Sequence, residues 1–147
     1  MREQILSAVR QHWDALGYWP RSGAIAQLCA LAPSTTTDAI RRLTHDGLLK
    51  YSPYGKVQLT PAGDAVVDEY LRHKRLLEIL LVSELELDHK TASQISTEIA
   101  MQMPCSVVER ICTKYGHPTQ CPAGHQIPVH ADCRCQQSSQ RGASSTR

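Results

Sequence analysis

The sequence predicts a mainly α-helical protein in which three short helices and a β-hairpin precede a longer helical segment. Three observations predict it. Apolar residues recur at the 3.6-residue helical period over most of the first 45 positions and again from residue 61 onward. Phe is absent and the aromatics are two Trp and five Tyr, so the core must be built from Leu, Ile, Val and Ala, an alphabet suited to helix-on-helix packing. Only one region, around Pro53-Tyr54-Gly55, has the short β-compatible runs of a hairpin.

Taken in order, Ile5, Val9, Trp13 and Leu16 form the apolar stripe of a first helix over residues 2–16, ended by Gly17. Ser22 is positioned to cap a second helix carrying Ile25, Ala26 and Leu28, which runs out near residues 30–32. A third opens at Ser34 or Thr35, turns Ala39, Ile40 and Leu43 inward and stops at Gly47. Residues 48–52 and 56–60 pair as the hairpin, which completes a winged helix-turn-helix. Thr60-Pro61 signals the cap and first residue of a long helix reaching about Glu86. Further helices are expected over residues 89–101 and 105–115, on either side of Pro104. The organisation expected is a winged helix at 1–60, a helical dimerisation domain at 61–116 and a cysteine-containing tail at 117–147, with the Ser/Gln-rich residues 136–147 disordered.

Composition narrows the function. The chain of 147 residues is 41% hydrophobic and 20% charged, an ordinary globular balance that excludes a fibrous or wholly disordered chain. The longest apolar run, Leu76 to Val82 interrupted by Glu78, is far short of the roughly 20 residues that cross a bilayer. No export signal is visible at the amino terminus, so a cytoplasmic location is expected. Because that apolar run faces nearly every side of its helix, it is expected to form a homodimer interface. Residues 1–60 carry seven Lys/Arg against four Asp/Glu, and residues 61–104 carry four against eight. A basic front suits an anionic partner. No nucleophile-base motif and no Gly-rich phosphate loop is present, so an enzyme is not expected.

In a helix-turn-helix the second helix enters the major groove, its first turns facing base edges while basic residues hold phosphates. Here that helix offers Ser34, Thr35, Thr36, Thr37, Asp38, Arg41 and Arg42 as outward positions, because Ala39, Ile40 and Leu43 are committed to the core. Short hydroxyls allow close approach, and the arginines supply charge or a bidentate guanine contact. Tyr54 and Lys56, with Lys50, would meet the flanking backbone from the hairpin. Double-stranded operator DNA is therefore the expected partner.

Over residues 2–49 the pattern, notably GYWPRSGAIAQLCALAPSTTTDAIRRLTHDGLL, resembles bacterial winged-helix repressors in general. The continuation YGKVQLTPAG, RHKRLLEILL and GHPTQCPAGHQIP resembles, in order and spacing, the diphtheria-toxin-repressor family, which includes the manganese transport regulators. The resemblance covers residues 1 to about 128 and implies a homodimeric, metal-responsive transcription factor without the extra carboxy-terminal domain of some members. It also implies where the activating ion should bind, and those positions fall on Ile5, Lys74, Ser93, Ser96 and Thr97, none a useful ligand. Only Glu78 and His89, from a secondary site, match the family. Ferrous or manganous ion at the usual site is not expected.

Six cysteines are many for a chain in a reducing compartment, and five lie in the last 43 residues, which favours metal or redox chemistry over disulfides. Cys112, Cys121, Cys133 and Cys135 form a candidate thiolate set for an iron-sulfur cluster or zinc, although their spacing matches no standard motif. Cys112 also lies on the stripe Val108, Ile111, Cys112, Tyr115 and fits equally as core; Cys105 needs no metal at its helix start; Cys29 is expected to be core. The leading reading is a homodimeric DNA-binding regulator, a repressor whose operator affinity responds to iron or another metal through a carboxy-terminal cysteine site. The alternatives are a metal-independent winged-helix DNA-binding protein, and a small metal or redox accessory protein using the winged helix for protein contacts.

Overall fold

The computed structural model describes residues 1–129 of the chain. Its elements run α1 (Arg2–Leu16), α2 (Ser22–Cys29), α3 (Pro33–His45), β1 (Leu49–Lys50), β2 (Gln58–Leu59), α4 (Pro61–Leu85), α5 (His89–Ile99), a 3-10 turn (Ala100–Gln102) and α6 (Cys105–Lys114). They divide into two compact units, one of residues Met1–Val67 and one from Asp68 onward. Among the described residues no helix is long and apolar enough to cross a membrane.

In the first unit Ile5, Leu6 and Val9 of α1 pack with Ile25 of α2 and Ile40 of α3, all with no exposed surface. The α1 stripe ends sooner than its period suggests. Leu16 is 54% exposed, and Trp13, 39% exposed, stacks instead on Trp19 at 4.3 Å between ring centroids. Gly17 closes α1 in the left-handed region, its N–H donating to the Trp13 carbonyl. Ser22 is the first residue of α2 and not its cap; Arg21 occupies that place without a side-chain hydrogen bond. Of the apolar residues α2 carries, Ile25 and Ala26 are buried and Leu28 is 56% exposed. α3 starts at Pro33, earlier than Ser34, because proline at the first helical position has no N–H to leave unpaired.

The hairpin is shorter than the sequence suggests, with two residues per strand in the register Leu49↔Leu59 and Lys50↔Gln58. It gains a third segment that the sequence did not reveal. Lys56 bridges Arg21, and the Val57 N–H donates to the Pro20 carbonyl, so the wing is anchored to the start of α2. Thr60 caps α4 as expected, accepting from the Gly63 N–H at 3.1 Å while its hydroxyl donates to the Gly47 carbonyl at 2.7 Å. Arg10 grips Asp64 in the first turn of α4 through Nε at 3.0 Å and Nη2 at 2.7 Å.

In the second unit, Tyr70, Leu76, Leu77 and Ile79 of α4 pack with Ala100, Val108, Ile111, Cys112 and Ile127. Part of the apolar run expected at a homodimer interface is thus covered within the chain itself. A single chain buries Leu76, Leu77 and Ile79, leaving Leu80 to Val82 partly exposed, because α6 and the 117–128 segment cover that face of α4. α5 opens on Asp88, whose carboxylate accepts from the Thr91 N–H at 3.0 Å and its hydroxyl at 2.6 Å. Between α6 and residue 129 the chain is irregular and is held by the Arg75 and Arg72 guanidiniums on the carbonyls of Gln126 and Pro128. Cys121 sits in a turn closed by the Gly124 N–H on its carbonyl.

Candidate nucleic-acid interface and metal-ligating residues

α3 presents Ser34, Thr35, Asp38, Arg41 and Arg42 to solvent, while Ile40 and Leu43 anchor it. Arg41 Nη1 lies 3.9 Å from Asp38 Oδ1, one turn away. Thr37 is half-buried, its hydroxyl donating to the Pro33 carbonyl. Thr36 corrects the sequence reading. It has no exposed surface and its hydroxyl donates to the Ala32 carbonyl, so it belongs to the packed face. The spacing 36, 40, 43 already placed Thr36 on the stripe of Ile40 and Leu43. On the wing, Tyr54 is 95% exposed at the hairpin tip, and Lys56, also exposed, holds its ammonium 5.8 Å from the Tyr18 ring centre.

The positions where the resemblance puts the activating ion do not fit one. Ile5 is fully buried and offers no donor. Lys74 Nζ stands 3.7 Å from Glu78 Oε1, a fixed cation on the one carboxylate available. The Thr97 hydroxyl is spent on the Ser93 carbonyl. Ser96 Oγ is buried without a hydrogen-bond partner among the described residues, a neutral hydroxyl in place of an anionic ligand. His89 is exposed at the first turn of α5.

Two of the four predicted thiolates, Cys133 and Cys135, lie outside the described residues. The other two are buried and each has its own histidine: Cys112 Sγ is 3.4 Å from His117 Nδ1, and Cys121 Sγ is 3.7 Å from His125 Nδ1. Among the described residues, Cys112 and Cys121 belong to no group of three or more ligand atoms. Cys29, expected in the core, is only partly buried, its thiol facing the Gln4 carbonyl at 3.7 Å and pushed up by desolvation.

A different group of donors does converge. Glu69 and His73 on α4 and Cys105 at the start of α6 bring one ligand atom each to within 4.8 Å of one another. His73 neighbours Lys74, which stands at the family's ligand position, and a one-residue step turns a helical side chain by about 100 degrees. That turn is real, and it aims His73 at Cys105 instead. Partial desolvation and the Glu69 carboxylate, which the thiol faces at 3.4 Å, push the Cys105 thiol above its ordinary range.

A family model described as the metal binding and dimerisation domain of iron dependent repressors matches residues 60–129. An uncharacterised HTH-type transcriptional regulator of Methanocaldococcus jannaschii is 30% identical over 87 residues, 59% of this chain and 70% of that protein. The diphtheria toxin repressor of Corynebacterium efficiens is 28% identical over 116 residues, 79% of this chain and 50% of the relative. Among solved structures, a manganese-dependent transcriptional repressor in complex with manganese has a TM-score of 0.75 at 27% identity, covering 90% of this chain and 60% of that one. The chain spans about half the length of the diphtheria toxin and iron-dependent repressors it matches.

Proposed function

This chain belongs to the diphtheria-toxin-repressor family of metal-dependent transcriptional regulators, and from that premise we propose that it is a homodimeric repressor that holds operator DNA through α3 and the wing. One observation carries the reading: a buried three-helix core presents Ser34, Thr35, Asp38, Arg41 and Arg42 on one exposed helix face, with Lys56 and Tyr54 on the adjoining hairpin. Hydroxyls at the start of the helix suit base edges and the arginines suit guanine or phosphate. The homodimer is supported by the match of residues 60–129 to a dimerisation domain.

The Lys74–Glu78 ion pair favours a refinement, in which metal responsiveness runs through thiolates and not through the family's hard-ion ligands. Cys112 and Cys121 with Cys133 and Cys135 are proposed to carry it, as an iron-sulfur cluster or a zinc site. Anaerobic purification followed by visible absorption, iron, zinc and sulfide analysis tests this, together with operator affinity measured across a salt series. The expected result is salt-dependent operator binding that changes when the thiolate-bound metal is removed. Replacing Cys121, Cys133 and Cys135 together by Ser should delete that response. A protein whose DNA affinity does not depend on salt fails the repressor reading; one whose response survives the triple change fails only the refinement.

A further inference from the structure

We infer that Glu69, His73 and Cys105 form a binding site for a single borderline divalent ion of the zinc type, separate from both the family's ligand positions and the tail thiolates. Glu69 and His73 stand one turn apart on α4, so the helix alone holds a carboxylate and an imidazole side by side. Cys105, the first residue of α6, adds the sulfur: 3.5 Å from His73 Nε2 and 3.4 Å from Glu69 Oε1. Those separations are the ones a tetrahedral ion imposes. With metal–sulfur near 2.3 Å and metal–nitrogen or metal–oxygen near 2.0 Å, donors at the tetrahedral angle lie about 3.5 Å apart.

The hydrogen bonding points the same way. His73 Nδ1 is 2.8 Å from the Ala100 carbonyl oxygen, which only accepts, so Nδ1 carries the proton and Nε2 of the neutral ring keeps its lone pair toward Cys105. A histidine held through its far N–H by a backbone carbonyl is the outer-shell arrangement that metal-bound imidazoles use. One thiol proton cannot serve both Nε2 and Glu69 Oε1. An ion in its place serves all three donors, and on binding the Cys105 S–H bond breaks, its proton leaving to solvent as the metal–thiolate bond forms. His73 is buried whereas Cys105 is exposed, which gives the ion an entry path and leaves a fourth position for water. One sulfur among nitrogen and oxygen donors selects zinc-like ions over magnesium or calcium and is too few for an iron-sulfur cluster.

A role for this site as an effector site rests on the repressor reading, so metal and DNA are measured separately. The full chain, reduced and freed of metal, is titrated with cobalt(II), which shows a near-ultraviolet thiolate charge-transfer band when bound, and the cobalt is then displaced with zinc. Cys105→Ser, a conservative change at an exposed position, should remove one cobalt equivalent with its band and lower zinc affinity about tenfold or more, since losing a ligand costs at least what losing an outer-shell partner does. His73→Gln, which keeps an N–H for the Ala100 carbonyl, should act in the same direction. The Cys133→Ser/Cys135→Ser chain should keep the Cys105-dependent equivalent. Undiminished cobalt binding and an unchanged band in Cys105→Ser overturn the site. Loss of the band in that variant supports the site whatever the operator assay returns, and an operator affinity indifferent to zinc then removes the effector role alone.

Discussion

Lys74 Nζ lies 3.7 Å from Glu78 Oε1 across one turn of α4, with the two side chains 24% and 10% exposed. An ammonium has no lone pair to donate, and here it neutralises the carboxylate that a metal would need. A hard divalent ion arriving at Glu78 would meet a cation and the neutral Ser96 and Thr97, too few anionic oxygens to offset its dehydration. Stoichiometric manganese binding is therefore not expected, which loss of the free-ion resonance signal on titration measures directly. Glu78→Ala and His89→Ala should leave the zinc content of the protein unchanged. Manganese bound tightly by the wild type and lost in those variants would show that the inherited site still works.

The exposed arginines of α3 make the second prediction. Arg41 and Arg42 pack against nothing in the core, so Arg41→Ala and Arg42→Ala should keep the melting temperature and lower operator affinity. A lost phosphate contact reduces the magnitude of the salt slope by about one, and a lost base contact costs about 1–3 kcal/mol at a single operator position. Thr36→Val, on the buried face of the same helix, is the internal contrast and should change affinity least. Equal operator affinity in wild type and both arginine variants would remove α3 from the groove.

The order of helices was legible because each apolar stripe meets a stop or a cap in the sequence itself: Gly17 after α1, Gly47 after α3, Thr60-Pro61 before α4. What the period alone did not supply was where a stripe stops mattering. Trp13 and Leu16 keep the phase of Ile5 and Val9 but stay exposed, Trp13 stacking on Trp19 outside the core. The candidate metal site was half legible. Glu69 and His73 show their one-turn spacing in the sequence, but Cys105 is 32 positions further on from His73, brought there by α5, the 3-10 turn and Pro104. No local pattern encodes that approach.

A third prediction concerns Gly63. A Cβ built there would overlap the Leu48 carbonyl oxygen, and that atom is backbone, pinned in place because it accepts from the Thr60 N–H. Gly63→Ala must therefore displace the first turn of α4 from the wing despite its better helix propensity. A loss of about 1–3 kcal/mol, the usual cost of overpacking, is expected in denaturant unfolding of the full chain. A variant as stable as wild type would mean that α4 shifts at no cost.

Ser96 gives the opposite sign. Its hydroxyl is fully buried and makes no hydrogen bond among the described residues, a burden on the order of 1 kcal/mol or more. Ser96→Ala removes the orphan group and improves helix propensity, so it should raise the denaturant midpoint. A lowered midpoint would reveal that the hydroxyl has a partner in solution.

The last prediction is a pH dependence at the far end of α4. Glu84 accepts a hydrogen bond from the Tyr115 hydroxyl at 2.7 Å and lies 2.9 Å from Lys114 Nζ, so one carboxylate ties α4 to the end of α6. Lys114, and after it Tyr115, hold the Glu84 carboxyl below its ordinary range, and Glu84 in turn pushes both partners up. A lowered carboxyl contributes stability above its unfolded value and loses it as pH falls through the lowered folded value. A raised lysine or tyrosine contributes below its unfolded value and loses that contribution as pH rises through the raised folded one. The tie is thus complete between about pH 5 and pH 9 and weakens on both sides. Glu84→Gln keeps the shape but gives up the charge, so the melting-temperature gap between wild type and variant should be widest inside that window and close toward acid and alkali. Because the Lys114–Glu84 pair is solvent-exposed, the gap should be small and shrink further in high salt. A gap of constant size from acid to alkali would mean that Glu84 stabilises the helix ends by packing and not by charge.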